Sequence, residues 1–192
     1  MWTLRFICIT LLMTPLRRVT GLNLVSPFRR MMGLFAFFYG TLHFVTYVTL
    51  DRYAGLVDYP GGYFSAATMT NLVKSVADDV VKRPYITVGF IAFVLMVPLA
   101  ITSTKGWIRR MGGKKWALLH RLIYVTAIGG VIHYWWLVKA DITRPEIYAA
   151  IVAILLGARL YVRLKPDATR RISVRPSAPP SASAPDRQSA RG

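Results

Sequence analysis

A chain of 192 residues, 54% hydrophobic and with 25 Lys plus Arg against 8 Asp plus Glu (net charge +17), is too apolar to be disordered and too short for several large domains. Its single cysteine, Cys8, excludes a disulfide framework. The cations fall between long uncharged runs rather than along a polar, aromatic-studded face, which argues against nucleic acid and for a polytopic membrane protein.

In chain order, the first run, Trp2 to Thr14, is helical in character but only thirteen residues long, carries Arg5 and is expected to end at Pro15, so it reads as a span lacking its beginning. A cleaved signal peptide is the alternative, and Pro15-Leu16-Arg17-Arg18 makes a poor small-residue cleavage site for it. Residues 31–50, 84–104 and 122–138 contain no Asp, Glu, Lys or Arg, and each has a length within the ~17–25 residues that cross a ~30 Å hydrocarbon core. Between the first two, Tyr63 to Val81 sets Phe64, Leu72, Val73, Val76 and Val80 at near-helical spacing, which predicts an amphipathic helix lying on the membrane surface. Pro98 predicts a kink in the span at 84–104.

A further span is predicted from about Pro145 to Leu164, with Thr143 as N-cap, Pro145 in the first turn and Glu146 at the positive end of the dipole. Arg159 and Arg163 are expected to snorkel from its far end. From Lys165 onward Pro, Ser, Ala and Arg dominate, so residues 165–192 read as a disordered tail on a membrane domain at 1–164. No run alternates as a barrel strand would, and the expected fold is an all-α bundle with five spans in this chain.

The segments 15–30, 104–121 and 159–192 hold 18 Lys/Arg and 2 acids, against 7 and 6 in the complementary segments. The positive-inside rule places the first set, and the C-terminus, in the cytoplasm. Met1 then lies outside, an orientation that an additional preceding helix would explain.

The chain has 3 histidines, His43, His120 and His133, all inside predicted spans, where an ionisable side chain is costly and faces the bundle interior. His43 lies ~18 Å from the cytoplasmic start of its helix and His133 ~7 Å from the outer end of its own, so both belong to the outer half. Two imidazoles on facing helices at one depth suit the axial ligands of a b-type haem. Gly40, Gly129 and Gly130 lie one turn from these histidines and Phe44, Tyr47, Tyr134, Trp135 and Trp136 surround them; close helix packing and an interfacial aromatic belt are the plainer explanations. His120 stands ~20 Å from His133 along an ideal helix and about 140° around it, so the two share a face only if the helix is distorted, and Gly129-Gly130 could supply that distortion. A second haem would need a partner thirteen or so residues before His43, where Arg29 and Arg30 stand. Residues alone leave an electron conduit, a histidine-relay transporter and a scaffold with satisfied core histidines open. The lack of acids in the main spans, Glu146 at one end excepted, argues against the relay.

Arg29 to Tyr47 (RRMMGLFAFFYGTLHFVTY) and Arg83 to Trp136 carry a resemblance through Leu42-His43, Thr102-Ser103-Thr104, Trp116-x-x-Leu119-His120 and His133-Tyr134. They resemble the MsrQ (YedZ) family of haem-binding membrane subunits, within the ferric-reductase-like transmembrane superfamily, over roughly residues 3–164. The resemblance implies electron transfer, from a quinone or a cytosolic flavin reductase, to a periplasmic molybdopterin-containing methionine-sulfoxide reductase that repairs oxidised proteins. It also implies haem b and FMN as cofactors, the bacterial inner membrane as location, and a further helix before Trp2. His43 and His133 are the expected ligands of the haem iron, with His120 a candidate for a second haem, a quinone, a flavin or a propionate; the superfamily has two histidine pairs and this chain has three histidines.

No dinucleotide or flavin fingerprint accompanies the resemblance. Gly112-Gly113 in WIRRMGGKKW is too short and basic for a Rossmann turn, and Arg109, Arg110, Lys114 and Lys115 read first as topogenic charge. The residues after Leu164 are far fewer than the ~100 of a flavin or nicotinamide domain, so electrons are expected from a separate donor. A stand-alone ferric reductase is the nearest enzyme alternative.

Overall fold

The computed structural model describes residues 2–21, 25–54, 65–138 and 140–164, and those residues are mostly helical, with no strand among them. The expected tail at 165–192 and the first residues of the expected amphipathic helix, Phe64 included, lie outside them. Among the described residues eight α-helices follow in order: α1 (Trp2–Thr20), α2 (Val25–Thr46), α3 (Ala66–Lys82), α4 (Pro84–Ile101), α5 (Lys105–Met111), α6 (Gly113–Leu119), α7 (Leu122–Leu137) and α8 (Thr143–Leu164). A π-helical turn, Tyr47–Tyr53, continues α2.

Among the described residues three stretches are long and apolar enough to cross a membrane: Pro27–Tyr53, Pro84–Ile101 and Gly113–Leu137. They coincide with the three charge-free runs read from the sequence, containing 31–50 whole and ending three residues short of 104 and one short of 138. Phe38, Ile91, Val94, Val125 and Ile128 on them are exposed, an apolar surface that lipid can cover. The chain is a membrane protein.

Helix α1 is the centre of the bundle rather than a peripheral remnant. Leu4, Ile7 and Leu11 are buried against Ala36 of α2, Met96 and Leu99 of α4, Ile123, Ala127 and Val131 of α7, and Val152 and Leu155 of α8. The helix continues through Pro15 to Thr20, where Gly21, at φ 70°, caps it by donating its N–H to the Arg17 carbonyl at 3.0 Å. Proline has no N–H, so the Leu11 carbonyl one turn earlier loses its helical donor.

Arg159 of α8 supplies the replacement. It donates to the Leu11 carbonyl from Nε at 3.1 Å and from Nη2 at 2.8 Å, and to Thr14 Oγ1 at 2.8 Å and Tyr124 Oη at 3.0 Å. The snorkelling expected of Arg159 is therefore overturned: the side chain is 6% exposed and points into the bundle, because the proline-interrupted helix offers acceptors that lipid does not. Arg159→Met is expected to destabilise the protein by about 2–4 kcal/mol, the cost of uncovering a buried carbonyl and losing charge-assisted hydrogen bonds. Thermal unfolding of the detergent-solubilised variant checks this; an unchanged midpoint would contradict it.

Local signals set the remaining boundaries. Ser65 caps α3 by accepting the Thr68 N–H at 3.1 Å, so the amphipathic helix begins at Ala66. Arg83 is extended (φ −116°, ψ 101°) because Pro84 follows it, and Pro84 then opens α4. Thr87 Oγ1 donates to the carbonyls of Val80 and Arg83, closing the α3–α4 corner. Gly112, at φ 77°, separates α5 from α6 in a conformation that side chains resist. Asp141 takes the Thr143 N–H at 3.1 Å ahead of α8, and hydrogen bonds from Thr143 hold its carboxyl below the usual range.

Candidate functional site

The rings of His43, on α2, and His133, on α7, stand 6.3 Å apart between centroids and are inclined at 70°. Their helices are not sequence neighbours; α4 fills the space between, packing extensively on α7 and also on α2. Both histidines line one cavity of about 850 Å³, within the ~300–1,000 Å³ typical of cofactor sites. Its walls include Gly40, Phe44 and Tyr47 of α2, Gly89, Phe90 and Phe93 of α4, and Gly130 and Tyr134 of α7.

His133 is the more constrained of the two. Its Nδ1 lies 2.7 Å from the carbonyl of Tyr85 in the first turn of α4, so Nδ1 carries the proton and donates, leaving Nε2 as the nitrogen able to bind a metal. The ring reaches that carbonyl across Gly89. A Cβ built on Gly89 would sit 2.5 Å from His133 Nδ1 and 2.8 Å from Cε1, so only glycine admits the ring here. Gly89 went unnoticed in the sequence because it is an ordinary small residue in an apolar span; its one signal is a helix-disfavouring residue inside an otherwise strongly apolar run.

The glycines expected to admit a cofactor do other things. A Cβ on Gly129 would meet Ala92 Cβ at 3.3 Å, and one on Gly130 would meet Leu4 Cδ1 at 3.5 Å, so both let neighbouring helices approach, though Gly130 also lines the cavity. At Gly40 a Cβ would come 2.7 Å from the mobile end of Met96. Phe44 and Phe93 stack at 5.2 Å and form an aromatic wall beside His43. Trp135 and Trp136 are exposed, as an interfacial belt requires.

His120 is not brought to the pair. It lines a separate pocket of about 210 Å³ with Thr14, Arg29, Trp116, Tyr124 and Arg159. The helix breaks at His120 and Arg121, between α6 and α7, rather than at Gly129-Gly130, so the spacing of an ideal helix between His120 and His133 does not apply. The ring stacks on Trp116 at 3.9 Å, and Nδ1 lies 3.1 Å from the Trp116 carbonyl. Trp116 is itself pinned by its Nε1–H, which donates to the Thr102 carbonyl at 2.8 Å at the end of α4. His120 Nε2 is buried and has no hydrogen-bond partner among the described residues.

The arrangement at His43 and His133 can hold a metal-centred planar group. Metal–imidazole bonds of ~2.0–2.1 Å put two imidazoles on opposite sides of one ion roughly 6 Å apart between ring centres, close to the observed spacing. The cavity walls are aromatic and apolar, and no cluster of three or more His, Cys, Asp or Glu suited to a bare metal ion occurs among the described residues.

Comparison with known proteins agrees with this architecture. The family model described as ferric reductase like transmembrane component matches residues 1–131. The "Protein-methionine-sulfoxide reductase heme-binding subunit MsrQ" of Xanthomonas oryzae pv. oryzae (strain MAFF 311018) is 46% identical over 182 residues, 95% of this chain and 74% of the relative. The protein of the same name from Ralstonia nicotianae (strain ATCC BAA-1114 / GMI1000) is 50% identical over 162 residues, 83% of this chain and 67% of the relative. The chain belongs to the MsrQ family. No solved structure matches it. MsrQ membership accords with the resemblance carried by Leu42-His43 and His133-Tyr134, and it places an all-helical membrane bundle with a histidine-lined cavity among ferric-reductase-like transmembrane proteins.

Proposed function

We propose that this protein is a transmembrane electron conduit in which His43 and His133 are the axial ligands of one b-type haem. The observation that carries the reading is the paired geometry: two imidazoles 6.3 Å apart on different helices, one oriented by the Tyr85 carbonyl, in a cavity of about 850 Å³. The name of the relatives, a haem-binding subunit, supports it. When bound, the haem supplies one-electron chemistry, and the protein's part is ligation, orientation and burial. His133 presents Nε2 because Nδ1 is engaged, Gly89 lets it do so, and Phe44, Phe90 and Phe93 keep the surroundings apolar.

Five spans cross the bacterial inner membrane in this reading, α1 and α8 being the additional two, with the C-terminus cytoplasmic by the distribution of Lys and Arg. The cavity then lies toward the periplasm, on the side of a molybdopterin-containing methionine-sulfoxide reductase as acceptor. Electrons enter from the quinone pool or a cytosolic flavin reductase. FMN follows from family resemblance alone and no residue set is assigned to it; Arg109, Arg110, Lys114 and Lys115 are exposed, as topogenic charges are.

For His120 a second role is supported by its buried Nε2, which has no hydrogen-bond partner among the described residues, in a pocket shared with Arg29. A ligand entering from the cytoplasmic side, a second haem or the donor quinone, would complete it. The test of both readings is an oxidised-minus-reduced visible spectrum of the purified protein with haem quantified per chain. A low-spin b-type signal at about one haem per chain is expected from the His43–His133 pair. A value near two assigns His120 to haem, and no haem, in protein produced with ample haem supply, overturns the conduit.

A further inference from the structure

The cavity between His43 and His133 has two chemically different ends. Its inner end is lined by Ile7, Ala92, Phe93 and Met96, and its other end by Tyr47, Asp51, Arg52 and Arg83. Among the described residues that line it, Arg52 and Arg83 are the only Lys or Arg. A haem has the same asymmetry: an apolar macrocycle with two carboxylates on one edge. We propose that Arg52 and Arg83 bind the two haem propionates, with Asp79 positioning both guanidinium groups. This assignment rests on the haem reading above.

The cluster is built, not incidental. Asp79 of α3 is 7% exposed, an unusual place for a carboxylate on a surface helix. One of its oxygens accepts the Tyr47 hydroxyl at 2.5 Å and pairs with Arg52, and the other lies 3.3 Å from Arg83 Nε. The π-helical turn contributes directly: its five-residue repeat brings Arg52 back over Tyr47, whose hydroxyl accepts from Arg52 Nε at 3.2 Å. Arg83, fixed in the extended link before Pro84, donates from Nη1 to Tyr85 Oη at 3.4 Å.

One carboxylate thus holds two guanidinium groups at the mouth of the cavity. Each keeps a nitrogen, Nη1 of Arg52 and Nη2 of Arg83, outside these bonds. Asp51 also lines this end, but it is exposed and makes no ion pair among the described residues, so its charge is screened by water. Bidentate or single contacts from guanidinium to carboxylate are strong, geometrically selective interactions. The assignment orients the haem with its carboxylate edge outward.

Two experiments on the full-length protein test this. In the first, haem-depleted protein is supplied with haem or with haem dimethyl ester, whose carboxylates are blocked. The wild type is expected to bind the free acid at least tenfold more tightly, and the Arg52→Gln/Arg83→Gln double variant to lose that preference while retaining a bis-imidazole spectrum. In the second, the midpoint potential of the protein as purified is measured. Each Arg→Gln change is expected to disfavour reduction about tenfold, ~59 mV for one electron, and Asp79→Asn to shift the potential in the opposite direction.

A role confined to holding α3 in place would lower uptake of acid and ester alike and leave the preference intact. A wild type that takes up both forms equally, or a double variant that keeps the preference, overturns the propionate assignment alone. Uptake of neither form by the wild type, together with no haem in the protein as purified, overturns the haem reading and this assignment with it.

Discussion

Replacing either His43 or His133 with alanine is expected to lower the haem bound per chain at least tenfold and to abolish the low-spin spectrum. His43 and His133 would be the two residues that hold the iron in the proposed site, and the walls supplied by Phe44, Phe90 and Phe93 are apolar surfaces without a substitute donor. Added imidazole is expected to restore part of the signal in either variant, since the vacated space is the size of the lost ring; recovery separates ligand loss from misfolding. His120→Ala, in a different pocket, is expected to leave a substantial fraction of the haem. Full haem retention in both His43→Ala and His133→Ala would remove the pair from the site.

The second large effect is expected at a residue with no side chain. In Gly89→Val the new Cβ would fall 2.5 Å from His133 Nδ1, and the contact cannot be relieved by a flexible chain end because the ring is pressed against the backbone of α4. His133 must leave the Tyr85 carbonyl and swing away from its present position, so haem content is expected to fall nearly as far as in His133→Ala. Gly129→Ala is the control: its Cβ meets Ala92 and Val88, a packing conflict that costs stability without moving the histidine. Equal haem loss in Gly89→Val and Gly129→Ala would refute a specific role for Gly89.

The parts legible in the sequence are those that follow from local composition. Three spans could be read because charge is absent from continuous runs, and the amphipathic helix because Leu72, Val76 and Val80 recur at helical spacing. His43 and His133 could be matched because depth in a membrane is set by distance along a helix, a one-dimensional quantity. Rotation about the helix axis and contacts between distant segments are not one-dimensional.

Gly89 illustrates this limit, since its meaning depends on a ring that approaches from another helix. Arg159 illustrates it again: near a helix end, an arginine reads as snorkelling unless the acceptors 148 residues earlier are known. His120 shows a third form, in which a break at His120 and Arg121 within an apolar stretch, without proline or glycine at that point, changes the direction of a side chain that an ideal helix would place elsewhere. The mouth cluster needed three elements at once, the π-helical turn, α3 and the link before α4.

The bond between Arg159 and the Leu11 carbonyl has a consequence for biogenesis. The defect that Pro15 leaves in α1 is repaired by the last helix described, so the Leu11 carbonyl has no Arg159 to meet it until α8 has been translated. Contacts of such long sequence separation form late, and α1 also lines the histidine cavity through Leu4 and Ile7. Completion of that wall is thereby tied to the arrival of α8, so a cofactor captured during synthesis would meet a loose, accessible chamber first and a closed one only after α8 has packed.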